Sequence, residues 1–254
     1  MAHQKITVCL KTQRRFGQRT IGHSGRIAGL WLAVAAGCVS VLLPVAAAQQ
    51  AGGDRARQAA GWEPLFDGTT LGGWKPTAFG GEGEVTVEEG AIRIAMGSDL
   101  TGITWSKPFP RQHYEIALEA QRVDGTDFFC GLTFPVGEHP CSLIVGGWGG
   151  GVVGLSSVDG LDAANNDTTQ FRGFKNGRWY AIAVRVTPDR IQCFIDDEKL
   201  VDQSLNDRRL SIRDELIPSK PLGIATYATT ARIQKLRWRM LDVPAAAPPK
   251  KAVR

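Results

Sequence analysis

The sequence predicts an all-β protein built as a two-sheet antiparallel β-sandwich. Two observations carry this. Short apolar alternations recur about every 8–12 residues, bounded by Gly, Pro, Asn and Asp. No long segment shows the 3.6-residue period of an amphipathic helix. The thirty glycines fit a chain of strands and turns.

The most legible stretch is 176–202. Tyr180, Ile182, Val184 and Val186 alternate with Ala181, Ala183 and Arg185, the two-residue period of a half-buried strand. Thr187-Pro188-Asp189-Arg190 supplies turn chemistry. Ile191, Cys193 and Ile195 resume the alternation, and Asp196-Asp197 turns the chain into a short return strand. The three segments read as an antiparallel meander and as scaffold rather than site.

The other strands are expected at 62–66, 84–87, 91–95, 102–105, 113–122, 127–134, 141–147, 152–157, 169–171, 222–227 and 233–241. Glu88-Glu89-Gly90 closes a hairpin between the second and third of these. Residues 206–215 are the one expected short helix. In 113–122, Tyr114, Ile116, Leu118 and Ala120 take one face, with Glu115, Glu119 and Gln121 opposite. In 127–134, Phe128, Cys130, Leu132 and Phe134 are expected in the core, leaving Asp127, Phe129, Gly131 and Thr133 on a wet face.

The ends differ in composition. Residues 1–48 hold six basic residues and no acidic one, and 27–45 carry no charge. With Ala46-Ala47-Ala48 following, this reads as a secretory signal cleaved after Ala48, and the protein as periplasmic or secreted. If the run is retained it anchors the chain, its one expected membrane contact. Residues 49–60 read as a linker, 61–242 as the domain and 243–254 as a disordered tail. The formal charge of +5 comes from the leader. Without those six cations, 24 Lys and Arg face 25 Asp and Glu, which removes the bulk basicity expected of a nucleic-acid binder. Cys130, Cys141 and Cys193 remain, an odd number; they read as three buried thiols, because Cys130 and Cys193 sit in apolar alternation, or as one disulfide and one buried thiol.

Several stretches together resemble the 3-keto-disaccharide hydrolase family. They are 62–74 (WEPLFDGTTLGGW), 85–94 (VTVEEGAIRI), 114–118, 179–201, 221–223 and 233–238. The resemblance implies a concanavalin A-like jelly roll and substrates that are glycosides oxidised at C3. On such a sugar the ketone acidifies the C2 proton. A base removes it, the C1 glycosidic oxygen departs, and water adds to the enone. The site then needs a base, an acid for the leaving oxygen, and donors or a metal for the enolate. The divalent metal could be Ca²⁺. The middle of the chain departs from the family. Where members carry a Gly-Ile-Phe-Phe-Arg-like strand and then Tyr-Glu-Val-Gln, this chain reads GLTFPV at 131–136 and CSLIV at 141–145.

The candidate residues follow from residue type and placement. Glu119 and Asp127 could be acid and base if they share a concave face. His139 lies in a turn and is either a base or metal ligand, or a solvated turn residue. Trp148, flanked by glycines, is either a sugar-stacking platform or a lid on the core edge. The loop 159–167 (DGLDAANND) offers Asp159, Asp162 and Asp167 as Ca²⁺ ligands and Asn166 as a sugar contact, or is a plain turn-rich loop. Arg172 either reaches a ligand hydroxyl or forms a surface ion pair. Strand pairing around 137–140 is expected to bring Trp148 to Asp127 and leave His139 at the far end. No phosphate-binding loop, nucleophile elbow or zinc motif is present, nor a paired-carboxylate glucanase run, so retaining hydrolysis is not supported; the carbohydrate partner is what the family resemblance implies. The alternative function is a non-catalytic, lectin-like binding module of the envelope.

Overall fold

The computed structural model describes residues 61–242. The expected signal at 1–48, linker at 49–60 and tail at 243–254 lie outside the described residues. Among the described residues, fifteen strands form two antiparallel sheets stacked as a sandwich of the concanavalin A-like jelly-roll type.

The first sheet runs β13 (Glu198–Ser204), β12 (Arg190–Ile195), β11 (Trp179–Val186), β6 (Tyr114–Gly125), β15 (Thr229–Met240), β4 (Ala91–Ile94) and β3 (Val85–Glu88), with β1 (Glu63–Pro64) also on β15. The second runs β10 (Gln170–Phe171), β9 (Val152–Ser156), β8 (His139–Gly147), β7 (Cys130–Val136), β14 (Gly223–Tyr227), β5 (Leu100–Trp105) and β2 (Trp74–Pro76). The meander is β11, β12 and β13, paired antiparallel as expected, with a register irregularity between β12 and β13 at Cys193–Phe194. Its alternating apolar residues are buried between the sheets, and Ala181, Ala183 and Arg185 face outward as expected.

One core fills the space between the sheets. Tyr114 crosses it, fully buried, and its hydroxyl donates to the Pro135 carbonyl of the opposite sheet. The LFDG segment that carries the family resemblance does structural work. Trp74 Nε1 donates to Leu65 O at 2.9 Å. Asp67 Oδ1 accepts the backbone N–H groups of Thr69 and Thr70, each at 2.7 Å. Those bonds, Thr70 first, hold its carboxyl well below the usual range.

Three expectations fail. The outer face of the second sheet is not wet. Every residue of β7 is buried, because Leu100, Ile144, Val152, Ala163, Leu216 and Ala225 form a second apolar cluster on that face. Loop 157–169 and a 3₁₀ turn, Asp214–Ser219, close over it. Glycines permit the approach: a Cβ on Gly154 would lie 2.7 Å from Ala163 O, and one on Gly223 2.5 Å from Ser219 O.

No helix forms over 206–215. Ser157 and Ser211 exchange backbone bonds (2.7 and 3.1 Å) and Val158 bridges Leu210, so those backbone groups are already paired. The helical turn starts only at Asp214 and contains Pro218.

The strand expected from 127 begins at Cys130. Asp127 Oδ1 takes the Phe128 N–H at 2.7 Å, which breaks the alternation. Phe129 therefore enters the core and Phe128 joins the outer cluster, the reverse of the expected faces.

Cys130, Cys141 and Cys193 are free and buried. Burial pushes the first two thiols up to about 12 and the third well above its ordinary value. At pH 8 the native protein should leave all three unlabelled by a thiol alkylator, and full labelling should follow denaturation. Peptide mass mapping checks this; labelling of native Cys193 would contradict its burial.

Candidate functional site at the end of the second sheet

The β7–β8 hairpin pairs Val136 with His139 at one end and Cys130 with Val145 at the other. The segment before β7 therefore meets the turn after β8. There Asp127 and Trp148 line one cleft of about 300 Å³, with Phe128, Tyr227, Arg213 and Glu215. Asp127 Oδ2 accepts the N–H of Gly149 at 3.0 Å and so pins the turn that carries Trp148. Trp148 itself sits at φ +49° between glycines with φ of +79°, +84° and +105° nearby at 146, 149 and 150. Only a glycine-rich turn accommodates that path, and it leaves Trp148 44% exposed.

Tyr227 ends β14 and stacks on Phe128, with ring centroids 6.0 Å apart. A hydrogen bond to Asp99 raises its pKa. Arg213 Nε donates to Glu215. Partial burial raises the Glu215 pKa, but its own backbone N–H and Arg213 outweigh this and hold it below the ordinary value. Two exposed rings, two carboxylates and a guanidinium thus converge. Tyr227, Arg213 and Glu215 were missed in the sequence. Arg213 and Glu215 lie in the stretch read as helix, and Tyr227 at a strand end.

Arg122 was also missed, although it continues the buried parity of Tyr114 to Ala120. It is 5% exposed. It donates to Asn176 Oδ1 (3.0 Å), Phe174 O (3.1 Å) and Asp127 O (3.3 Å), and lies over the Phe129 ring. It therefore fixes the backbone under Asp127.

The remaining candidates fall elsewhere. Glu119 points outward from the first sheet, bound by Gln234 Nε2 (2.7 Å) and Lys235 Nζ (2.9 Å), so the core separates it from Asp127 and the proposed acid–base pair does not exist. Burial raises the Glu119 pKa, but those two hydrogen bonds and the Lys235 and Arg237 charges bring it below the ordinary value. His139 is exposed at the head of β8 beside Arg111 and Glu138. Nine residues of strand, about 30 Å, part it from Trp148. Arg172 pairs with Asp196 (3.1 Å) and Glu198 (2.9 Å), the ion-pair reading.

Asn166 is consumed by its own loop. Its Nδ2 donates to the carbonyls of Leu155, Leu161 and Asp162 (2.8, 3.1 and 2.7 Å), and Oδ1 accepts from Thr168 N and Oγ1. The loop aspartates do not fit a Ca²⁺ ion. Asp159 and Asp167 are bridged by Arg208 (2.6 and 2.8 Å), and Asp162 lies 3.6 Å from Arg213. Among the described residues no three His, Cys, Asp or Glu side chains converge as a metal would need.

Residues 61–241 match the profile of the 3-keto-alpha-glucoside-1,2-lyase-like domain. No curated protein matches the chain. Among solved structures, the Crh5 transglycosylase in complex with NAG is similar at 15% identity and TM-score 0.50, over 74% of this chain and 86% of that one. The carbohydrate binding module CBM66 from Bacillus subtilis is similar at 14% identity and TM-score 0.45, over 66% and 95%. Domain 4 of AbnA, an extracellular arabinanase from Geobacillus stearothermophilus, solved with arabinotriose, gives 14% and 0.46, over 71% and 91%. At these identities the likeness is one of fold.

The two loop residues should separate in a urea titration. Asn166→Ala strands several buried partners and should lower stability by about 2 kcal/mol or more. Arg172→Ala, which removes a partly exposed ion pair, should cost less than about 1 kcal/mol. Equal losses would contradict these assignments.

Proposed function

The chain belongs to the 3-keto-alpha-glucoside-1,2-lyase-like domain family, and from that premise we propose that it acts on a glycoside held in the Trp148–Tyr227 cleft. The observation that carries this is the pairing of exposed aromatic faces with carboxylates in one recess. Pyranose rings have apolar C–H faces that stack on aromatic rings and hydroxyl edges that seek carboxylates.

The reaction we propose is elimination on a 3-keto-glycoside. Glu215, ionised at neutral pH, takes the C2 proton. The electron pair moves toward the C3 ketone, and the Arg213 guanidinium stabilises the enolate oxygen. The C1–O bond then breaks with the pair going to the leaving oxygen, which takes up a proton, and water adds to the enone. Asp127 holds the Trp148 turn and offers its remaining lone pairs to sugar hydroxyls. The leader composition supports export as the setting.

A second reading, a non-catalytic binding module, is favoured by the state of the carboxylates. Asp127 already accepts two backbone N–H groups, and Arg213 holds Glu215. One experiment separates the two. The protein is incubated with a 3-keto-disaccharide, with and without divalent metal, and released sugar is followed beside direct binding. Elimination requires turnover that falls about 10²-fold or more in Glu215→Gln. Trp148→Ala should weaken binding about three- to tenfold. Binding without turnover leaves the module reading. Neither binding nor turnover, or full function in Trp148→Ala, rejects the cleft.

A further inference from the structure

The stretch that reads as pure scaffold forms a trough on the opposite side of the molecule. We propose that the outer face of the first sheet is a second binding site, for a carboxylate-bearing saccharide. That the anion is a saccharide rests on the glycoside reading above; that the site takes an anion rests on the sheet alone.

Strand register builds the trough. Phe194, Ala183, Ala117 and Arg237 lie side by side across β12, β11, β6 and β15. The neighbouring row is Arg185, Glu115 and Arg239. An outward sheet face normally carries long polar side chains. Here alanines 117, 181 and 183 leave a floor, and the recess measures about 450 Å³, within the ~300–1,000 Å³ range of small-molecule sites.

A β-bulge makes the cationic wall. Between Gln234 and Arg237 the β15 register shifts against β6, and Lys235 takes φ +54°. The extra residue reverses the facing of the strand. Ala231 and Ile233 are buried before it and Leu236 after it, so Arg237 and Arg239 emerge on the trough.

Those cations are held in place. Arg237 and Arg239 lie over the Trp62 ring, at 4.8 and 4.6 Å from its centroid. Arg185 lies over Phe194 at 5.5 Å. Glu115, nearly buried, accepts from both Arg185 (3.4 Å) and Arg239 (2.6 Å). Lys235 takes Glu119 at 2.9 Å. Arg237 makes no ion pair within 4.0 Å among the described residues, and Arg185 Nε is buried without a hydrogen-bond partner. A ligand carboxylate would satisfy Arg237, while C–H faces of a sugar cover the alanine floor.

The test is calorimetry on the full chain with tetragalacturonate, against neutral cellotetraose, inorganic sulfate and a glutamate oligopeptide. Tetragalacturonate should bind saturably and weaken as salt rises. Its affinity should fall about tenfold or more in Arg237→Gln, and also in Ala183→Leu, which fills the floor. It should be unchanged in Trp148→Ala, whereas loss of the glycoside cleft would show in that variant alone. Urea midpoints near wild type keep the two trough variants interpretable. The proposal is overturned if tetragalacturonate does not bind, if cellotetraose binds as well, or if neither trough variant weakens binding. Equal binding of sulfate or the glutamate peptide would reject a saccharide as the occupant.

Discussion

The double burial of the β7–β8 pair decides where this molecule can meet a ligand. One face of that pair lies against the main core and the other under the second apolar cluster. Side chains on the outer face are small or apolar, among them Gly131, Thr133, Ser142 and Ile144, and Thr133 and Ser142 satisfy each other at 2.8 Å. A sheet closed on both faces cannot hold a sugar across its middle. What stays open is its end, where the glycine-rich turn projects Trp148 and the last residue of β14 presents Tyr227.

The covering layer is tied down by charge as well as by apolar contact. Arg208 joins Asp159 and Asp167 to the segment that precedes the 3₁₀ turn, and Arg213 reaches both Asp162 and Glu215. Exposed pairs of this kind contribute little singly. Their geometry still matters, because the same arginine that secures the loop forms part of the cleft wall. Arg122 plays the corresponding part from beneath, joining the backbone of Asp127 to that of Phe174.

The first sheet shows the opposite solution. β6 lies between β11 and β15, and its inner face is fully committed to the core. Its outer face is uncovered among the described residues. The alanines there gain nothing from packing, and four cations stand against Glu115, Glu119 and Asp197. The bulge at Lys235 is what allows one strand to serve both faces: before it the sequence parity points one way, after it the other.

Much of this architecture is legible in residue order. Two-residue alternation in 180–186 and 191–195 dictates which face is buried, because a strand has only two faces and water excludes one set of side chains. Hairpin pairing at 137–138 likewise dictated that Trp148 would meet Asp127 and that His139 would not. Other features depend on particular hydrogen bonds, near or distant in sequence, that alternation does not register. Phe128 and Phe129 exchange faces because a carboxylate captures one N–H. Residues 206–213 form no helix because Leu210 and Ser211 pair with Val158 and Ser157 instead. Glu119 and Arg172 could be read as ligand contacts because their partners, Lys235 and Asp196, are 116 and 24 residues away, while Asn166 is consumed mainly by its own loop. Local periodicity settles which side chains leave water; the long-range contacts of the tertiary structure settle which polar groups remain for a ligand.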